Sequence, residues 1–454
     1  MSLALAAVPP LDAAPDPEAG TALPRLVTSV PGPRGKDLVD LLAAHECPAI
    51  TARRARRADS TGVEQDPIVW ERARGANVWD PDGNRFVDLT AGFGVASAGH
   101  GNPFVVARVT EQLGRHVHGM GDAFPGRARI ELAAALADHL PGGLSQVIFG
   151  SDGSDAVEAA LKTAVMATGR SRVVACEGSY HGMSLGALAV SHYKEGFRAP
   201  FAGRLGPLAD WVPFGGDLGA IAATLDDGEP VAAVLVEPVQ GRGGDRTTDP
   251  AWFAGLSELC AARGALLIFD EIFTGFGRAG AFVQAGTEHV AGVVPDLICL
   301  GKGMTSGFPV SACLGTPEVM GAWGVSSGEA IHTSTFLGHP VGCAAGLAVL
   351  ELFDQHDLLA RACALGDLMA ETLGALAGTR GFGDVRGRGA MRALEVDAGV
   401  TRGLAICRGL LERGWIVLPA GTQGEALSFT PPLTMTETQW RGAMDALRTE
   451  AEST

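Results

Sequence analysis

Lys302 stands between two glycines directly after Leu297-Ile298-Cys299-Leu300. A lysine at the buried end of a hydrophobic strand sits where its charged form is costly, and a neutral amine is what imine chemistry requires. Most lysines, by contrast, only solvate a surface. Asp270 emerges as abruptly from Leu266-Leu267-Ile268-Phe269. A carboxylate there is costly unless it faces a cation or a protonated nitrogen, and a salt bridge to Arg278 would meet that need as well as a ligand. Glu177-Gly178-Ser179-Tyr180-His181-Gly182 offers an aromatic ring between glycines, able to lie flat on a planar ligand or simply to pack. Phe149-Gly150-Ser151-Asp152-Gly153-Ser154-Asp155 opens into the helical pattern Ala156-Val157-Glu158-Ala159-Ala160-Leu161. Backbone N–H groups at such a start can cradle a phosphate; Asp155 and Glu158, at capping-box spacing, also suit an ordinary capped helix. A cofactor with a phosphate, an aromatic ring, a basic ring nitrogen and an aldehyde would use all four stretches.

These residues need a scaffold that brings strand ends together. The pattern supplies one: apolar runs at 146–149, 173–176, 231–236, 266–269 and 297–300 alternate with amphipathic segments such as 155–167 and 251–263. Strand, helix, strand, repeated, predicts α/β layers around a mostly parallel sheet, whose ligands gather beyond the carboxyl ends of the strands. The prolines at 9, 10, 15, 17, 24, 31 and 33 exclude regular helix and predict a flexible arm over 1–34. Helical patterning starts near Gly35, and Pro81-Asp82-Gly83-Asn84 turns a hairpin within 78–88. The expected division is a segment 35–98 packing with a small domain, a large cofactor-binding domain 99–342, and a small α+β domain 343–454.

The chain has 454 residues, more than one core normally serves, since cores stop growing at roughly 250–300 residues. Hydrophobic residues make up 46% and charged residues 19%, which excludes wholesale disorder. A net charge of −16 repels phosphate backbones and anionic lipid, so neither nucleic acid nor a membrane is an expected partner. The basic run Arg53, Arg54, Arg56, Arg57 reads as a solvated segment. Eight scattered cysteines without a C-x-x-C pair read as reduced thiols, and the first ten residues lack the basic region of a secretory signal. A cytoplasmic protein is expected.

Between Val78 and Leu433 the residues resemble the class III (ω-type) aminotransferases among fold type I pyridoxal-phosphate enzymes. Six motifs occur in family order: Gly150-Ser151-Asp152-Gly153-Ser154-Asp155-Ala156-Val157-Glu158, Tyr180-His181-Gly182, Glu237-Pro238-Val239-Gln240-Gly241, Asp270-Glu271-Ile272 with Thr274-Gly275-Phe276-Gly277-Arg278, Gly301-Lys302-Gly303, and His332-Thr333-Ser334-Thr335-Phe336. The resemblance implies pyridoxal 5'-phosphate as cofactor and no metal. It implies a Schiff base on Lys302, which also moves the substrate proton; Asp270 paired with the pyridinium nitrogen; Tyr180 and Ile272 on opposite faces of the ring; and Gly153 and Ser154 on the phosphate. Thr335 would reach the phosphate of a neighbouring subunit, making a homodimer the active unit. Glu237 would be an acid near the substrate entrance.

The chain departs from the family pattern at three positions. Ser428 precedes Phe429-Thr430-Pro431-Pro432 where relatives that use 2-oxoglutarate often carry arginine, Met183 follows Tyr180-His181-Gly182 where arginine is also frequent, and Phe273 replaces a common glutamine. Neither serine nor methionine replaces a bidentate arginine, so the usual pairing of 4-aminobutyrate with 2-oxoglutarate is not expected; Arg392 and Arg85 are the candidates for a substitute clamp. Glu425 is a candidate for attracting a cationic amine. The reaction implied is amino transfer from an amino acid or amine to a keto or aldehyde acceptor; the alternative on the same scaffold is a racemase, epimerase or aminomutase.

Overall fold

The computed structural model describes residues 7–51, 59, 62, 67–121, 123–379, 381–397 and 399–453; the basic run at Arg53, Arg54, Arg56 and Arg57 lies outside them. The chain divides into two compact units, one comprising the chain up to Pro103 and from Asp357 onward, the other Phe104–His356.

The Phe104–His356 unit is built on a seven-stranded sheet. Its spatial order is Gln146–Gly150, Ser311–Gly315, Leu297–Leu300, Leu266–Asp270, Val231–Val236, Arg172–Cys176, Asp210–Val212. The last five run parallel to one another, and Ser311–Gly315 is antiparallel to both strands beside it. Strand Val231–Val236 is buried along its whole length, as expected for a strand covered on both faces. Helix Gly153–Thr168 lays Ala156, Ala159, Ala160 and Ala164 on Ala232, Ala233, Ile268 and Cys299. Small side chains on both surfaces let the helix approach closely, and each fully buried valine or leucine around them contributes roughly 1.5–3 kcal/mol.

This topology positions the chemistry. Strands 297–300, 266–270, 231–236 and 172–176 are consecutive neighbours in the parallel part of the sheet, so their carboxyl ends share one edge, about 4.8 Å apart from strand to strand. Lys302, Asp270, Glu237 and Tyr180 are the residues that this edge presents.

The other unit carries two four-stranded sheets. One pairs Arg72–Arg74, Asn77–Trp79, Arg85–Asp88 and Trp415–Ile416; the other pairs Phe382–Arg388, Met391–Val396, Ala426–Phe429 and Leu418–Ala420. The parallel pairing of Trp415–Ile416 with Val87–Asp88 joins the two ends of the chain into this single unit.

Two expectations change here. Residues 7–34 are not a free arm: Thr21 and Ala22 are buried, Ala22 N–H donates to Asn77 Oδ1 at 2.9 Å, and Arg25 and Arg85 exchange backbone hydrogen bonds at 2.9 and 2.8 Å. Among the described residues no helix begins before Pro33, as the prolines predict, but an extended segment can satisfy its backbone on a sheet edge and on side-chain amides. The boundary expected at 342 falls instead at Asp357, because helix Pro340–Gln355 belongs to the larger unit. The apolar pattern runs on into helix Leu358–Gly374, and the break is made by one left-handed residue, Asp357, with φ 52°. Of the eight thiols, six are buried, whereas Cys47 is exposed. No helix among the described residues is long and apolar enough to cross a membrane.

Candidate active site

Lys302, Asp270, Tyr180, Ile272, Gly153, Ser154 and Glu237 line one pocket of about 230 Å³, together with Asp152, His181, Gly182, Met183, Arg242 and Phe273. Lysine and aspartate thus share a cavity, as the sequence requires of them.

Lys302 begins a short 3-10 turn with φ 45°. A left-handed conformation in a residue with a Cβ costs on the order of 1 kcal/mol, and here it turns the side chain off the strand end and into the cavity. The Nζ lies 3.7 Å from the centre of the Phe273 ring. Burial lowers the amine to about 8; Asp270 and Glu237 oppose that shift, and Arg242 and Arg278 reinforce it. At pH 7 about 10% of such an amine is neutral, roughly 300 times the fraction of an unperturbed lysine. The rate at which the cofactor-free protein takes up pyridoxal phosphate is therefore expected to rise nearly tenfold per pH unit up to about 8 and then level off, as followed by stopped-flow absorbance. A flat profile between pH 6 and 9 would contradict the lysine assignment.

Asp270 is held on both oxygens. His181 Nδ1 lies 2.7 Å from Oδ2, and Ile272 N–H donates to Oδ1 at 3.1 Å. An ionised carboxylate only accepts, so this contact puts a proton on Nδ1; the buried Nε2 has no partner. The neighbouring Glu271 faces away from this chemistry. It accepts the N–H groups of Gln284 and Ala285 and the Thr274 hydroxyl, fixing the turn after the strand, and burial raises it to about 7.

Glu237 lines the pocket and also braces it. Its carboxyl accepts from Tyr180 N–H at 2.9 Å and Gly241 N–H at 3.2 Å, tying together the loops that follow two adjacent strands. Burial raises it to about 7 against the opposing influence of His181.

Gly153 and Ser154 open a 16-residue helix capped by Asp152, which accepts from Asp155 N–H. The first N–H groups of a helix have no partner within it. A Cβ on Gly153 would come within 3.0 Å of Ile272 Cδ1, so a bare backbone is needed there. Ser154 Oγ accepts from Met183 N–H at 3.1 Å, which leaves its own proton to donate.

Thr335 is exposed and lines a separate small cleft with His118, Arg129 and His339. Ser428, on strand Ala426–Phe429, and Glu425, which accepts from Gln423 N–H at 2.9 Å, belong to the other unit. The clamp candidates are committed elsewhere in that unit: Arg392 donates to the carbonyls of Gly389 and Gly387, and Arg85 to that of Leu23. Sequence reasoning missed two pocket residues. His181 lies inside a quoted motif but had no role, and Arg242 follows directly on Glu237-Pro238-Val239-Gln240-Gly241, where its position in the chain was the available signal.

A parallel sheet with a lysine, a buried aspartate, a tyrosine and a helix N-terminus around one cavity defines a fold type I pyridoxal-phosphate enzyme. The particular family follows from comparison: the model for class III aminotransferases matches residues 59–450, and the chain belongs to that family. It is 36% identical over 408 residues to the 5-aminovalerate aminotransferase of Pseudomonas aeruginosa, covering 85% of this chain and 94% of that one. It is 35% identical over 383 residues to the acetylornithine aminotransferase of Methanosarcina mazei, covering 84% and 91%. Among solved structures it resembles the ornithine aminotransferase of Toxoplasma gondii (TM-score 0.81, 28% identity, 93% and 96% covered). A pyridoxal-phosphate-bound amine transaminase from an uncultivated Pseudomonas species is similar as well (TM-score 0.78, 29% identity, 86% and 95% covered). The protein is a pyridoxal-phosphate-dependent aminotransferase. Its pocket fits that cofactor: a carboxylate held on two sides awaits a basic nitrogen, an amine of lowered pKa awaits an aldehyde, and glycine leaves room beside Ile272.

Proposed function

We propose that Lys302 carries the cofactor and moves the proton during amino transfer, with Asp270 facing the ring nitrogen, Tyr180 and Ile272 against the ring faces, and Gly153 and Ser154 on the phosphate. When bound, pyridoxal phosphate supplies an aldehyde for the incoming amine and a ring that withdraws electrons from the substrate carbon. The chain's residues do the rest. Asp270, whose oxygens are held by His181 and the Ile272 N–H, would keep a proton on the ring nitrogen. Lys302, whose free amine burial lowers to about 8, would serve as the base for the proton that the substrate carbon must lose. Phe273 and Ile272 keep that end of the pocket apolar, so water is excluded while the proton moves.

The observation that carries this reading is a single cavity uniting a lysine of lowered pKa with an aspartate anchored on both oxygens. Thr335, exposed and outside its own chain's pocket, is consistent with service to the phosphate of a neighbouring subunit in a homodimer. The absence of a C-x-x-C pair is in keeping with a reducing, cytoplasmic setting. For the donor, 5-aminovalerate, acetylornithine and ornithine share a primary amine on a linear aliphatic chain, and we propose that class here. Ser428 in place of an arginine argues against strict selection of 2-oxoglutarate as acceptor.

A screen of half-reactions tests this. Holoenzyme mixed with terminal-amine amino acids, α-amino acids and diamines, with no acceptor, is expected to convert its cofactor stoichiometrically to the amino form, seen by absorbance. Racemisation or migration of the amine without that conversion would favour the isomerase alternative.

A further inference from the structure

The pocket contains a second cation that the proposed chemistry does not use. Arg242 lines the same cavity as Lys302 and Asp270. Its guanidinium carbon lies 5.0 Å from the centres of the Tyr180 and Tyr193 rings, which meet edge to face with centroids 6.1 Å apart. Two aromatic rings hold the guanidinium in place without consuming its N–H donors, an arrangement that suits arginine better than lysine. Among the described residues it forms no ion pair, and its buried Nε has no hydrogen-bond partner. The carboxylates that line the pocket are otherwise engaged: Glu237 accepts from two backbone N–H groups, Asp270 is held by His181 and Ile272, and Asp152 caps its helix.

Arg242 is half-buried, and its buried Nε loses hydration without gaining a protein partner in return. Here the cost falls on a residue whose position is fixed from both sides. Gly241, the residue before it, is pinned to Glu237, and Tyr180, one of its ring partners, is pinned to the same carboxylate. The site is preorganised for an anion brought by something else.

We propose that Arg242 receives a carboxylate of the substrate, which makes this an aminotransferase for carboxylate-bearing amino donors and oxo acids rather than for simple alkyl amines. The planar fork gives two parallel N–H donors to a carboxylate, and Lys302 in the same cavity is left for the reacting end of the molecule. Arg242 then does the work expected of the arginine absent at 428 and 183, from a different element and on the same side as Tyr180. The electrostatics agree: Arg242 helps to lower the Lys302 amine, and a bound carboxylate would offset that influence. The proposal rests on the aminotransferase reading and narrows its substrate class.

The test compares 5-aminovaleric acid with pentylamine, which lacks only the carboxylate, in wild type and in Arg242→Gln and Arg242→Lys holoenzymes whose cofactor absorbance is intact. The ratio of kcat/KM for acid over amine is expected to fall roughly 10- to 100-fold in Arg242→Gln, from the loss of a charge-assisted hydrogen-bond pair, and to recover in part in Arg242→Lys. The inhibition constant of glutarate, which carries carboxylates and no amine, should weaken by a similar factor, and this arm decides the matter where pentylamine is not turned over by the wild type. An unchanged ratio and unchanged glutarate inhibition would overturn the role of Arg242 while leaving amino transfer intact. A wild-type holoenzyme that accepts no amino group from any donor would instead remove the reading on which the proposal stands.

Discussion

Lys302→Ala is expected to lower kcat by about 10⁴-fold or more, because one side chain both carries the cofactor and moves the proton, and removing such a group removes two functions together. The cavity explains why no neighbour can substitute. The groups that share the cavity with Nζ include the Phe273 ring, the Ile272 side chain and carboxylates already bound to backbone N–H groups or to His181; none is an amine, and Arg242 carries a guanidinium instead. Lys302→Arg should be nearly as inactive for the same reason, although it preserves charge. The change should be local: the left-handed turn at 302 does not depend on the amine, so thermal unfolding should move little. The visible absorption of the lysine-linked cofactor should vanish while cofactor still binds through phosphate and ring. A Lys302→Ala protein that retains that absorption would show that another amine is the nucleophile.

Much of this site is legible in sequence because each part is local. A carboxylate or a glycine-flanked lysine directly after four apolar residues marks a strand's carboxyl end, and a parallel sheet then collects such ends on one edge. The grouping of Lys302, Asp270 and Tyr180 follows from that rule, while Glu237 entered through the family resemblance. What is not legible depends on distant partners. His181 meets Asp270 across 89 residues of sequence, and nothing in Tyr180-His181-Gly182 says which carboxylate the imidazole will find. Arg242 lies between two glycines in a segment with no periodicity, and its meaning comes from Tyr193, on another loop. The strands Asp210–Val212 and Ser311–Gly315 escape notice because one is three residues long and the other is made largely of small residues. The left-handed break at Asp357 is invisible in an apolar pattern that continues on both sides of it.

Asp270→Asn is expected to reduce kcat by about 10³-fold, a magnitude typical of removing a preorganised charge from a water-poor site. Asparagine preserves volume; its one oxygen can still accept from Ile272 N–H, and its amide NH2 can donate to His181 Nδ1 once the imidazole takes the other tautomer, so the turn and the pocket should survive. What it lacks is the negative charge that keeps a facing ring nitrogen protonated, and without that proton the electron sink is weak. The same charge reaches two neighbours, and this separates an electrostatic role from a merely structural one. Asp270 opposes the lowering of Lys302 and contributes to the raising of Glu237. Its neutralisation should therefore lower Lys302 further and bring Glu237 back toward its ordinary range. The pH at which cofactor uptake levels off should move below about 8 in Asp270→Asn, while uptake at pH 7 becomes faster even as turnover collapses. His181→Gln, which removes the imidazole and leaves the carboxylate in place, should lose much less activity than Asp270→Asn. Opposite movement of uptake and turnover in one variant is hard to obtain from damage to the fold, which would slow both; if both fall in parallel, Asp270 acts through packing and its assignment to the ring nitrogen fails.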